Sequence, residues 1–156
     1  MSTFTLVKDA ENLDSESKHL LEKAKEALQH AYAPYSKFRV ATAVLLVDGS
    51  IITGTNQENA AYPACMCAER VALYSIASQH PNRPIKKLLV IAQRDQQDTL
   101  APATSCGPCR QVMLEFEQRQ GTPFEVVMLN QDHEWVKASS AESLLPFSFT
   151  NVSLQG

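Results

Sequence analysis

Three cysteines and one glutamate carry the chemistry that this 156-residue chain could perform. Cys67-Ala68-Glu69 is followed, well down the chain, by Cys106-Gly107-Pro108-Cys109. In the second segment two thiols are spaced to fall one helical turn apart, close enough to share an ion. The first segment adds a third thiol, with a carboxylate two residues beyond it. Three thiolates fill three corners of a zinc tetrahedron and leave the fourth to water, as in catalytic rather than structural zinc sites. Zinc brings the pKa of such a water toward neutrality, and Glu69 stands where a base could take the proton. The reaction expected of these parts is hydrolysis by a metal-activated water, with Glu69 moving the proton from that water to the group that leaves. No organic cofactor is needed.

Each residue also has a plainer role. A C-x-x-C pair can be redox-active, or simply two buried thiols, but neither role explains Cys67 and Glu69. Cys65-Met66-Cys67 could supply two ligands and close a structural four-cysteine site; otherwise Cys65 is a small buried hydrophobe. Glu69 could pair with Arg70 or Arg110. Three thiolates on Zn²⁺ leave one net negative charge, which makes a poor Lewis acid. Arg70 is placed to offset this by hydrogen-bonding a ligand sulfur, and its alternative is a surface or interface ion pair. None of His19, His30, His80 and His133 is assigned a role, and Trp135 is expected to pack on an edge strand.

The elements that must position these residues follow from periodicity. Leu20, Leu21, Ala24, Ala27, Leu28 and Ala31 recur at helical spacing and predict an amphipathic helix over Asp14–Ala31, capped by Ser15 or Ser17. Phe38–Val47 is a strand. Asp48-Gly49 is a hairpin turn, and Ile51–Thr55 is the return strand. Asn56–Met66 is a loop, and Cys67–Ser78 a buried helix. Lys87–Ala92 is a central strand, and Gln93–Ser105 a polar connection. Gly107–Gln120 is a helix stopped by Gly121-Thr122-Pro123. Phe124–Leu129 and His133–Ala138 are strands, and a short helix begins near Ser140 and Glu142. This order predicts an α/β fold, a three-layer α/β/α sandwich on a mixed sheet of about five strands, in one domain over 1–156. Both cysteine segments then open helices, where free N–H groups and the helix dipole favour thiolate.

Composition narrows the function. Hydrophobic residues make up 44% and charged residues 20%, the profile of an ordinary soluble chain. The net charge is −3, and Lys and Arg are scattered, with no longer run than Lys86-Lys87, which argues for a small-molecule partner over nucleic acid. No apolar run approaches the roughly 20 residues that span a bilayer, so no membrane partner is expected. The N-terminal stretch does not read as a secretory signal, so a cytoplasmic location is expected. Four cysteines in such a chain fit metal or catalysis better than a disulfide framework.

The sequence resembles the small homotetrameric zinc-dependent cytidine deaminases. The likeness lies in Phe38-Arg39-Val40-Ala41-Thr42-Ala43, Gly54–Pro63, Cys67-Ala68-Glu69-Arg70, Cys106–Gln111 and Leu144-Leu145-Pro146-Phe147-Ser148-Phe149, and it runs from about residue 17 to 150. It implies a cytidine deaminase-like fold with Zn²⁺ on Cys67, Cys106 and Cys109, and Glu69 as proton shuttle. It implies that Asn56 and Glu58 hold the ribose 3′-hydroxyl, that backbone near Ala60 meets the base, and that Tyr62 faces the 5′ end. Phe38 is implied to pack on the pyrimidine, and Phe149 to be an aromatic lid from a neighbouring subunit of a homotetramer. The implied reaction converts cytidine and 2′-deoxycytidine to uridine and 2′-deoxyuridine in pyrimidine salvage. Departures from the family pattern are Ala41, Cys65, Ser105, Pro108 and Phe147, none of them a proposed ligand.

Overall fold

The computed structural model describes residues 3–155. Its strands are β1 (Phe4–Val7), β2 (Phe38–Leu46), β3 (Ile51–Thr55), β4 (Ile85–Arg94), β5 (Leu100–Ala101), β6 (Glu125–Leu129) and β7 (Trp135–Ala138). Its α-helices are α1 (Ser15–Ala27), α2 (Ala68–Gln79) and α3 (Gly107–Gln120). The strands form one mixed sheet in the order β1-β7-β6-β4-β2-β3, with short β5 beside β4. Only β4 and β6 run parallel; every other pair is antiparallel.

Period-two alternation decides which helix covers which face. In β2, Ala41 and Ala43 point to one side and Val44 and Leu46 are in the core of the other; in β4, Leu89 and Ile91 oppose Leu88 and Val90. The first set packs on Leu20, Leu21, Ala24 and Leu28 of the α1 segment. The second packs on Leu73 and Ile76 of α2 and on Met113 and Phe116 of α3. The result is the three-layer sandwich expected, with α1 on one face and α2 and α3 on the other. Side chains such as Leu20, Leu73 and Met113 have no exposed surface, and each contributes about 1.5–3 kcal/mol by burial.

The sheet has seven strands, not about five. The additions are β1, which pairs with β7, and two-residue β5, both too short to carry a periodic signal. Trp135 is therefore not on an edge: β7 lies between β1 and β6, and the indole is 3% exposed. The first helix ends earlier than expected, passing into a 3₁₀ turn at Leu28–His30. Its cap is Asp14, not a serine, whose Oδ1 accepts from Ser17 N at 2.9 Å and whose Oδ2 accepts from Ser17 Oγ at 2.8 Å. The last strand starts at Trp135 because Asn130 Oδ1 binds Asp132 N at 3.0 Å and Glu134 N at 2.8 Å, holding His133 in a turn at φ 57°. The Asp48-Gly49 turn is as expected, with Gly49 at φ 89°, and α3 has the predicted bounds, ended by Gly121 at φ 71°.

One glycine sets the placement of α2. A Cβ on Gly54 would lie 2.5 Å from both Ala68 O and Ala72 N. Strand β3 thus touches the first turns of α2 backbone to backbone, which only glycine permits.

Candidate active site

Cys67 is the N-cap of α2, and Cys106 is the N-cap of α3. Cys109 lies in the first turn of α3, fully buried, and Pro108 beside it occupies a position that needs no N–H donor. The three sulfurs converge. Cys67 Sγ is 3.9 Å from Cys106 Sγ, Cys106 Sγ is 3.3 Å from Cys109 Sγ, and all three lie within 4.8 Å of one another. Thiolates at the corners of a zinc tetrahedron with 2.3 Å bonds are about 3.8 Å apart, so the donor set and its spacing fit Zn²⁺.

Charge at the site points the same way. The neighbouring Cys109 thiol, together with Arg70 and Cys106, holds the Cys67 thiol down at about 5 against the effect of burial. Cys109 is pushed far above the usual thiol range by Cys67, by burial and by the Glu69 carboxylate. The thiols cannot all ionise at such spacing unless a cation is shared among them. Arg70 Nη2 donates to Cys67 Sγ at 3.5 Å, the sulfur contact expected of it, and this contact holds the guanidinium in its charged form. Arg70 Nε is buried with no hydrogen-bond partner among the described residues. Cys65 stands apart. Its sulfur accepts from Asn59 N at 3.2 Å and belongs to neither the cluster nor the core, so the four-cysteine site does not form.

Glu69, in the first turn of α2, is 4% exposed, and burial raises its carboxyl above the usual range. It lines a cavity of about 870 Å³ with Phe38, Asn56, Glu58, Tyr62, Cys67, Arg70 and Cys106. The structure therefore brings together most of the residues singled out in the sequence. Ala60 and Phe149 do not line this cavity; Phe149 lies 59% exposed in the C-terminal segment, where its carbonyl accepts from Gln111 Nε2 at 2.9 Å.

Asn56 and Glu58 are already engaged within the chain. Asn56 Oδ1 accepts from Val40 N and its Nδ2 donates to Phe38 O, both at 2.9 Å. Glu58 Oε2 accepts from Tyr35 N at 2.9 Å and from Ser36 N at 3.2 Å, and Oε1 accepts from Ser36 Oγ. Sequence reasoning missed Ser36 and Gln131, which also line the cavity. A turn serine carries no signal of its own, and Gln131 enters only because the loop after β6 leaves the same end of the sheet as α2 and α3.

A three-thiol donor set and a buried carboxylate beside an open cavity on an α/β/α sandwich define a zinc-dependent hydrolytic enzyme. The family model described as "Cytidine and deoxycytidylate deaminase zinc-binding region" matches residues 14–122. The chain is 38% identical over 135 residues to a cytidine deaminase of Sporosarcina psychrophila, covering 86% of this chain and 92% of that one. It is 39% identical over 132 residues to the cytidine deaminase of Halalkalibacterium halodurans, covering 84% and 92%. Its fold matches the crystal structure of cytidine deaminase from Burkholderia pseudomallei with a TM-score of 0.69 at 39% identity, covering 88% and 100%. The chain belongs to the cytidine and deoxycytidylate deaminase family. Among the described residues no helix is long and apolar enough to cross a membrane.

Proposed function

We propose that the protein converts cytidine and 2′-deoxycytidine to uridine and 2′-deoxyuridine plus ammonia, as a homotetramer serving pyrimidine salvage in the cytoplasm. The observation that carries this reading is the meeting of three thiols and a buried carboxylate in one cavity of about 870 Å³, a volume suited to a nucleoside.

Cys67, Cys106 and Cys109 hold the metal, which when bound supplies a water acidic enough to serve as nucleophile near neutral pH. With the metal in place, Glu69 would take one proton from that water and deliver it to the ring nitrogen as the oxygen adds to the amino-bearing carbon. The same carboxylate would then move the proton of the new hydroxyl to the amine as the C–N bond breaks and ammonia leaves, so one residue is base and then acid. Burial raises its proton affinity, which suits it to both roles. Arg70 draws electron density from Cys67 Sγ and limits the negative charge of the thiolate set. Phe38 packs on the pyrimidine, and the backbone near Ala60 meets the base. Asn56 and Glu58 take the 3′-hydroxyl, and Tyr62 faces the 5′ end. Phe149 lies outside its own chain's cavity and serves a neighbour's. The exposed rings of Tyr32, Tyr35, Tyr62 and Phe149 support burial between copies.

The test is ultraviolet assay of cytidine and free cytosine, with zinc per chain determined on the same sample. Uridine formation with cytosine spared supports the reading. Zinc-loaded protein that leaves cytidine untouched overturns it.

A further inference from the structure

We propose that Ser36 is a positioning residue for the sugar side of the cavity, joining the Glu58 carboxylate to the backbone of Phe38. The proposal rests on the nucleoside reading above. Ser36 lies in the turn before β2. Its hydroxyl donates to Glu58 Oε1 and accepts from Phe38 N at 3.1 Å. Its own N–H and that of Tyr35 donate to Glu58 Oε2. Lys37, between Ser36 and Phe38, has φ 57°, a left-handed conformation that a non-glycine residue adopts only when its surroundings hold it. Lys37 N donates to Ala33 O at 3.1 Å, and Lys37 O accepts from Asp95 N at 2.9 Å.

The valences that remain are informative. A carboxylate offers about four acceptor sites. Three on Glu58 are used by the turn, and the spare one is on Oε1, the oxygen that Ser36 Oγ orients. The Asn56 amide uses one N–H on Phe38 O and one lone pair on Val40 N, leaving one donor and one acceptor. One spare acceptor beside one spare donor matches a single sugar hydroxyl, which gives its proton to Glu58 and accepts from Asn56. Phe38, the ring proposed to pack on the base, is tied by its N–H to Ser36 and by its carbonyl to Asn56. Ser36 thus sets the position of both the ring and the carboxylate. Cys67, Cys106, Cys109 and Glu69 sit on α2 and α3 and do not depend on this turn.

The experiment compares wild type, Ser36→Ala and Ser36→Thr as full-length zinc-loaded enzymes. Steady-state kinetics are measured with cytidine and 3′-deoxycytidine, zinc is determined per chain, and the Phe38 amide is followed by hydrogen exchange. In Ser36→Ala, loss of a hydrogen bond to a charged group raises KM for cytidine about tenfold and narrows the preference over 3′-deoxycytidine by about the same factor. kcat and zinc hold, Phe38 exchange accelerates, and Ser36→Thr restores all three altered readouts. Unchanged KM and preference overturn the proposal, as does a fall in kcat that tracks zinc loss. If wild type leaves cytidine untouched, the nucleoside reading fails. Phe38 exchange then decides the Ser36 link alone: acceleration in Ser36→Ala supports it, and no change overturns it.

Discussion

The sheet buries charge at both of its ends and treats it in opposite ways. Where β4 and β6 begin, Lys87 is buried and meets Asp14 at 2.7 Å and Glu125 at 3.0 Å. Lys137 meets the same two carboxylates at 2.8 Å and 3.5 Å. Two cations and two anions close a square, and Glu16, 3.6 Å from Lys87, joins it from the side while also pairing with Lys86. Where β6 ends and α2 and α3 begin, Glu69 is as deeply buried, but among the described residues it has no ion-pair partner, and three thiols crowd beside it. Arg70 meets this cluster through Cys67 Sγ at 3.5 Å. A compensated cluster stabilises the fold, while an uncompensated one is held in place for a cation and a reaction.

The strongest way to sharpen this contrast is Cys109→Ser. Removing the buried thiolate is expected to abolish zinc retention and bring uridine formation below detection, read by metal analysis and assay on one sample. Next comes Glu69→Gln, which keeps size and burial but cannot exchange the proton. kcat is expected to fall about 10³-fold or more with zinc unchanged; a fall below tenfold would remove Glu69 from the proton path. At the opposite end, Lys87→Met strands part of the carboxylate charge and is expected to cost about 3 kcal/mol in urea unfolding. Its kcat/KM per folded molecule should match wild type, and a loss there would break the division between the two ends. Gly54→Ala blurs the division by design. Its methyl would press on α2, at an expected cost of about 1–3 kcal/mol, with kcat falling as Cys67 and Glu69 shift.

The smallest effect expected is in acid. Although burial opposes it, hydrogen bonds from Lys137, Lys87 and Ser17 hold the Asp14 carboxyl well below its ordinary 3.8. A depressed folded pKa adds stability that is present above the unfolded value and lost as pH falls toward the folded one. The stability gap between wild type and Asp14→Asn should therefore be flat near neutrality and shrink below about pH 4. The Lys87 ammonium resists burial through Asp14 and Glu125 and titrates above its ordinary 10.5, so its contribution is lost only as pH rises beyond that value.

The residues that do chemistry were the most legible part of the sequence, because metal ligands need particular atoms at particular spacings. Cys67, Cys106 and Cys109 converge as their spacing implied, and the Gly107–Gln120 helix has its predicted bounds. The edges of the sheet were not legible. Strand β1 earns its place from backbone pairing with β7, and its mostly exposed side chains leave no pattern to read. Glu117 was missed for a related reason. Its buried carboxylate accepts from Phe124 N at 3.0 Å, Ala141 N at 2.7 Å and Glu142 N at 3.1 Å, partners brought to it only by the fold. Ser36 belongs to the same class, since its partners are chosen by a turn.

The convergence of the sulfurs also has a mechanical side. Cys67 and Cys106 are 39 residues apart in the chain, and the segment between them contains all of α2, β4 and β5. A metal held by both is a cross-link across that span, equivalent in effect to a disulfide closing a long loop. Chelation would then remove more than a reactive centre: it would release a staple, and the helix openings on either side would be the first parts of the molecule to loosen.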